Sequence, residues 1–155
     1  MKCIAICLVL ALGAAGPALA RDLAPIPAPR PPAPLSDVVD VVDGDTFHAR
    51  PSAATPACTR LRYGMWESIR ILGLDTPEMR GKCAAERRQA RAAKARTTEL
   101  LSSGRVTIER AGCDRYQRTL ARVLVDGRDV AETLIGEGLG RPYEGGRRAG
   151  WCEGE

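Results

Sequence analysis

The chain has 155 residues, a mass of 16.6 kDa and a net charge of +4, from 23 Lys and Arg against 19 Asp and Glu. That length accommodates one domain with a tail, and the mild charge excludes a histone-like polycation. At 45% hydrophobic residues the chain can bury a core, so it is neither collagen-like nor disordered throughout. At 4% aromatic residues, that core is built from Val, Ile, Leu and Ala.

The start reads Met1-Lys2, an apolar stretch from Ile4 to Leu12, and small residues ending Ala18-Leu19-Ala20. A positive beginning, a short apolar run and an A-x-A ending predict a cleaved signal peptide over 1–20, with an uncleaved anchor as the other reading. Export to the periplasm or the medium is therefore expected, without stable membrane association once the signal is removed. Residues 21–36 carry six prolines and read as an extended tether, since proline suits neither a helix interior nor a central strand. The folded domain, 37–152, is expected to begin near Val38.

Val38, Val39, Val41 and Val42 predict a first strand running into an Asp-Gly turn, and 46–50 alternates as its hairpin partner. Residues 51–60, rich in Pro, Ser, Ala and Thr, read as an irregular insertion. A buried strand is expected over 68–74 (SIRILGL). Residues 84–102 hold neither Gly nor Pro and stop at Ser103-Gly104, which predicts a helix. On it Arg87, Arg91 and Lys94 share one face; such a face is ordinarily solvated surface. Strands follow over 106–109 and 120–125. A second helix is expected over 130–138, with Asp129 as N-cap and Glu132 in its first turn. Five short strands with a helix after the third and another after the fifth predict an α+β fold, a closed five-stranded OB barrel capped by helices.

Two acidic turns stand out. Asp43-Gly44-Asp45-Thr46 joins two strands, and Asp75-Thr76-Pro77-Glu78 follows the buried strand. Hard divalent cations are held by several oxygens from carboxylates, carbonyls and water, which converging acidic turns can supply. Two arginines have unusual settings: Arg70 lies inside an apolar strand between Ile69 and Ile71, and Arg118 ends the turn 114–118. Arginine's rigid fork of donors matches phosphate. A metal, a carboxylate base and two arginines are the parts of phosphodiester cleavage. With one His and no C-x-x-C pair in the exported part, zinc is not expected.

The segments VVDGDTF (41–47), IRILGLDTPE (69–78), DRYQRTLARV (114–123) and DGRDVAETLIGEGLGRPY (126–143) resemble, in order and spacing, the thermonucleases or staphylococcal nuclease-like proteins. The resemblance implies an OB barrel with helices and a calcium-dependent endonuclease of DNA and RNA that leaves 3′-phosphate ends. It implies that Asp45 and Asp75 ligate calcium with Thr76 giving its carbonyl, and that Asp43 acts through water. It further implies Glu78 as general base, Arg70 and Arg118 as phosphate-binding residues, and Tyr116, with Tyr143, lining the nucleotide pocket. The chain departs from the family in the long 51–67 segment, in Gln117 where Gly is common, and in its Arg-rich tail ending Trp151-Cys152.

The competing reading is an OB module that binds nucleic acid without cleaving it. Asp43, Asp45, Asp75 and Glu78 argue against it, because a pure binder of an anionic strand gains only repulsion from them. Single-stranded substrates and a monomeric chain are expected. The positive charge concentrated over 83–122 predicts salt-sensitive binding there. Four cysteines remain after signal cleavage and allow three pairings. Cys83–Cys152 and Cys58–Cys113 are the expected pairs, because a tail bearing Cys152 frays unless tied down.

Overall fold

The computed structural model describes residues 38–152 together with a two-residue strand at 33–34. The expected signal peptide and most of the tether lie outside the described residues. β1 (Ala33–Pro34) comes first, followed by β2 (Val38–Val41), β3 (Thr46–Ala49), β4 (Glu67–Ile71) and β5 (Gly73–Asp75). Helix α1 (Ala84–Ser102) follows. After it come β6 (Val106–Cys113), β7 (Thr119–Val125), β8 (Arg128–Asp129), helix α2 (Val130–Gly136) and β9 (Arg141–Tyr143).

The main sheet runs β1-β6-β7-β4-β3-β2, with β8 on β7, while β5 and β9 form a separate pair. All pairings are antiparallel except β4 with β7. The fold is α+β as expected, but the sheet is not closed into a barrel. The outer edge of β6 pairs with Ala33 and Pro34 rather than with β2. Proline is tolerated there because an edge strand can spare a donor. A groove of about 620 Å³, lined by β2, α1 and Val106, separates the two unjoined strands.

Three further expectations are corrected. The strand expected over 68–74 is two, broken at Leu72, and Gly73 takes the left-handed conformation (φ 75°) that redirects the chain. The second helix ends at Gly136 rather than Gly138, with Glu137 as its C-cap. β6 is longer than expected, to Cys113, because its far half pairs with β7 through a bulge at Arg110–Gly112.

Helix α1 matches the expected span. Glu86, Ala90, Ala93, Thr97 and Leu101 form its buried stripe, and the two alanines let it approach the sheet closely. Gly44 takes the consequence: a Cβ there would lie 2.7 Å from Ala93 Cβ and 2.8 Å from Thr76. Thr97 Oγ1 donates to Gly44 O at 2.8 Å, so α1 clamps the first acidic turn from behind. The core consists of aliphatic side chains and Phe47, with Phe47, Ile69, Leu74, Val123 and Leu134 sealed from solvent. Cys58 is bonded to Cys113 and Cys83 to Cys152, the two pairs named from the sequence. The second closes 69 residues, worth about 4 kcal/mol in the chain-entropy account. Among the described residues no helix is long and apolar enough to cross a membrane.

Candidate active site

Strand register assembles the site. Thr46 lies opposite Arg70 in the β3–β4 pair, so Asp45 is carried to the Arg70 side chain. β4 runs parallel to β7 with Ile69 beside Thr119, which brings Arg118, just before β7, to the same rim. Asp75 faces Arg141 across β5–β9, and this draws the C-terminal tail over the second acidic turn.

Asp45, Asp75, Thr76 and Arg70 are all buried, at 2–4% exposure. Asp45 Oδ2 accepts from Thr76 N at 3.0 Å and Thr76 Oγ1 at 3.1 Å, and Oδ1 accepts from Thr46 Oγ1 at 3.0 Å. Arg70 Nη1 pairs with Asp45 Oδ1. Arg70 Nη2 is buried with no hydrogen bond, and Asp75 Oδ1, also buried, has an ion-pair partner but no aligned hydrogen bond. Burial, and then the charges of Arg148 and Arg118, lower the Arg70 pKa to about 10, so it is cationic at neutral pH. Asp43 Oδ1 accepts from Asp45 N at 3.1 Å and caps the turn. Its pKa is raised by burial, against the opposing pull of Arg70.

Arg118 is oriented by its own turn. Asp114 Oδ1 accepts from Tyr116 N and Arg118 N, both at 2.9 Å, and Oδ2 accepts from Arg118 Nε at 2.7 Å. Gln117 sits at φ 61°, a left-handed position where Gly is the easier residue. Tyr116 is 63% exposed, with Arg118 5.5 Å from its ring centroid.

One cavity of about 1220 Å³ gathers Arg70, Glu78, Arg118, Tyr116, Tyr143 and Arg148 on its walls. Arg148 is the residue that sequence reasoning missed. Its Nε stands 3.1 Å from Asp75 Oδ1, and its Nη1 pairs with Glu78. The tail that delivers it is fastened at three points. Tyr143 Oη donates to Gly146 O at 2.9 Å, Arg141 stacks 3.6 Å from the Trp151 centroid, and Cys152 is bonded to Cys83. The signal was present in the expected Cys83–Cys152 pair, because Cys83 follows Glu78 so closely that tying the tail to it lays Arg147-Arg148 across the site.

The basic face of α1 is a different matter. Arg87, Arg91 and Lys94 do not line the cavity. Arg87 donates to Gly81 O at 2.8 Å, Arg96 is bound to Glu137, Arg110 to Glu67 and Arg122 to Asp129. Of the basic residues over 83–122, only Arg115 and Arg118 line the cavity. The positive charge expected from that segment comes in part from Arg147 and Arg148 instead.

The arrangement is a wall of cationic and aromatic groups backed by buried carboxylates. Residues 68–150 match the family of staphylococcal nuclease homologues. The chain belongs to this family. The match covers every candidate catalytic, metal-ligating and nucleotide-binding residue except Asp43 and Asp45, which precede it. This staphylococcal nuclease homologue is also similar to SPbeta prophage-derived endonuclease YokF of Bacillus subtilis (strain 168), at 36% identity over 114 residues, 68% of this chain and 34% of that protein. It is similar to Endonuclease YncB of the same organism, at 35% identity over 103 residues, 64% of this chain and 44% of that protein. The chain thus spans less than half the length of either relative.

Proposed function

We propose that the chain is an exported, calcium-dependent endonuclease that hydrolyses the phosphodiester bonds of DNA and RNA and leaves 3′-phosphate ends. The observation that carries this reading is the convergence of Arg70, Glu78 and Arg118 on one cavity backed by buried Asp45 and Asp75. Two relatives named as endonucleases support it.

The acid pair fits a hard divalent cation. Its donors are all oxygen: the Asp45 and Asp75 carboxylates and the Thr76 carbonyl, with Asp43 within reach through water. Asp75 Oδ1 is a buried carboxylate oxygen that makes no aligned hydrogen bond, and its charge is met by a cation, Arg148 Nε at 3.1 Å. The one three-residue group of potential ligands lying within 4.8 Å among the described residues, Cys83, Glu86 and Cys152, is occupied by its own disulfide. Bound between the acids, calcium would polarise a phosphoryl oxygen.

The chain's own groups do the rest. Arg70 and Arg118 donate to the phosphoryl oxygens as charge builds on them, preorganised by Asp45 and Asp114. Glu78, with its side chain 56% exposed, takes a proton from the attacking water. Attack on phosphorus expels the 5′-oxygen, so the phosphate stays on the 3′ side. Tyr116 and Tyr143 offer aromatic faces to the nucleotide. One chain supplies every group, which suits a monomer. The signal-like N-terminus and the two disulfides fit an oxidising, extracytoplasmic compartment.

The mature chain incubated with single-stranded DNA is expected to release fragments in calcium and none in chelator. Fragments in excess chelator would overturn the metal dependence. Tight binding without fragments in either would favour the binding module over the enzyme.

A further inference from the structure

The long segment between β3 and β4 is built onto the active-site turn. Cys58 is bonded to Cys113, Thr59 Oγ1 lies 2.7 Å from Thr119 Oγ1, and Arg60 N donates to Gln117 O at 2.9 Å. Each of these anchors grips the stretch 113–119 that carries Tyr116 and Arg118. The arm is therefore held in a set place beside the catalytic rim.

Its tip breaks a local rule. Arg62 and Trp66 bridge as a small hairpin, with Arg62 N donating to Trp66 O at 2.7 Å. The turn residues Tyr63 and Gly64 sit at φ 53° and 68°. Such a turn favours Asn, Asp or Gly at both places, and a bulky residue at positive φ is rare and strained. Tyr63 is 80% exposed, so packing does not offset the strain. A strained residue without a structural return points to function.

What Tyr63 faces supplies the function. A groove of about 640 Å³ is lined by Arg60, Arg62 and Tyr63 of the arm together with Tyr116 and Arg118. Tyr116 and Arg118 also line the catalytic cavity, so the two spaces share a wall. Arg62 lies 5.6 Å from the Tyr63 ring centroid, as Arg118 lies 5.5 Å from that of Tyr116. The aromatic-plus-arginine unit thus occurs twice along one groove. Among the described residues, neither Arg60 nor Arg62 pairs with a carboxylate. Asp43 is the one carboxylate lining the groove, and it belongs to the catalytic turn.

Single-stranded nucleic acid is read by alternating aromatic faces for bases and cations for phosphates, whereas paired bases keep their faces stacked on one another. We propose that the 57–66 arm forms a second nucleic-acid subsite, in which Tyr63 stacks a base and Arg60 and Arg62 hold phosphates of a single strand whose cleaved bond lies at Arg70 and Arg118. The inference rests on the nuclease reading for the position of the cleaved bond.

The test compares single strands of about eight nucleotides, DNA and RNA, with a dinucleotide. Binding is followed by fluorescence anisotropy in chelator and cleavage is followed in calcium. Tyr63→Ala and Tyr63→Asn are expected to weaken binding of the longer strands by roughly five- to hundredfold, the range that one stacked base is worth. Neither should change dinucleotide binding. Tyr63→Asn suits the positive φ, so it should melt no lower than wild type while still losing affinity. Tyr63→Trp should retain binding. Arg60→Gln with Arg62→Gln should flatten the log–log salt dependence by about 1.4, two phosphates' share. Wild-type cleavage together with undiminished long-strand binding by Tyr63→Ala would overturn the subsite and keep the nuclease. An equal loss at both lengths would make the arm a mere support of the catalytic rim and overturn the subsite. Tyr63-dependent binding by a wild-type chain that cleaves nothing would keep the subsite and overturn the nuclease.

Discussion

Glu67 and Arg70 lie on the same strand, at 0% and 4% exposure, and each sits in a cluster of acid and arginine. Around Glu67 every oxygen is satisfied. Oε1 accepts from Arg110 Nε at 2.9 Å and Thr119 Oγ1 at 2.8 Å, and Oε2 accepts from Arg110 Nη2 at 2.9 Å and Thr55 Oγ1 at 2.7 Å. Around Arg70 the network is incomplete: its Nη2 is buried without a hydrogen bond, and the neighbouring Asp75 Oδ1 meets the partly exposed Arg148 at 3.1 Å. A completed buried network rigidifies a fold, whereas an incomplete one is costly unless something else completes it. The first cluster ties the arm, β4, β6 and β7 together. The second is the cluster to which the proposed function assigns a cation and a phosphate.

The largest expected contrast is catalytic. Arg118→Ala should slow turnover by about a hundredfold or more, the scale of losing one donor to the transition state. Its melting temperature should hardly change, because Arg118 is a turn residue outside the core. Steady-state kinetics beside a thermal melt checks both halves, and near-normal turnover would remove Arg118 from the chemistry.

At the other cluster the signs reverse. Glu67→Ala leaves Arg110, whose side chain is 9% exposed, without its buried partner and should cost about 3–5 kcal/mol of stability. The fraction still folded should cleave at close to the wild-type rate. Denaturant titration with activity measured at low denaturant separates the two effects. A variant as stable as wild type would mean that the network is not what holds these strands.

Acid should expose the same cluster. Burial alone would raise the Glu67 pKa, but hydrogen bonds from Arg110, Thr55 and Thr119 outweigh it and hold the group below its ordinary value. A lowered carboxylate pKa contributes stability that is complete above the unfolded value, about 4.3. That contribution is lost as pH falls through the lower folded value. Stability is therefore expected to drop below about pH 4, and Glu67→Gln should flatten part of that drop. An unchanged acid limb in the variant would assign the sensitivity to other acids.

The smallest effect concerns Arg148. Its side chain is 35% exposed and bridges Asp75 and Glu78, so under the proposed calcium site it would compete with the cation for the acids while contributing little to the fold. An ion pair this open is worth at most about 1 kcal/mol. Arg148→Ala should lower the calcium needed for half-maximal binding by up to about fivefold, as read by calorimetry. Weaker calcium binding would mean that Arg148 supports the metal site rather than competing for it.

Much of this molecule was legible in the chain. α1 was readable to both ends because a helix is specified locally, by an uninterrupted run of helix formers and a stop at Ser103-Gly104. Asp45, Asp75, Arg70 and Arg118 were readable as candidates because acid pairs in turns and an arginine in an apolar strand are anomalies visible without a fold. Glu67 was not, since a Glu at the start of a strand looks like ordinary surface until Arg110 and Thr119 are brought to it. Arg148 was hidden in an Arg-rich tail, where no pattern separates the arginine that reaches Asp75 from its neighbour.

The sequence alone therefore determined where the helices and acidic turns lie, which side chains are chemically out of place, and that Cys58, Cys83, Cys113 and Cys152 are candidates for pairing. Those are properties of short windows, governed by propensity and by hydrophobic period. Only the tertiary structure decided that the sheet stays open because Ala33 and Pro34 occupy the edge of β6. Tertiary structure also decided that the basic face of α1 does not line the candidate cavity, that the tail does, and that the arm lines a neighbouring groove sharing Tyr116 and Arg118 with it. Each of these depends on which distant segments pair and in what register. That is settled by loop closure, by the two disulfides and by the competition of several edges for one partner, and no local window contains it.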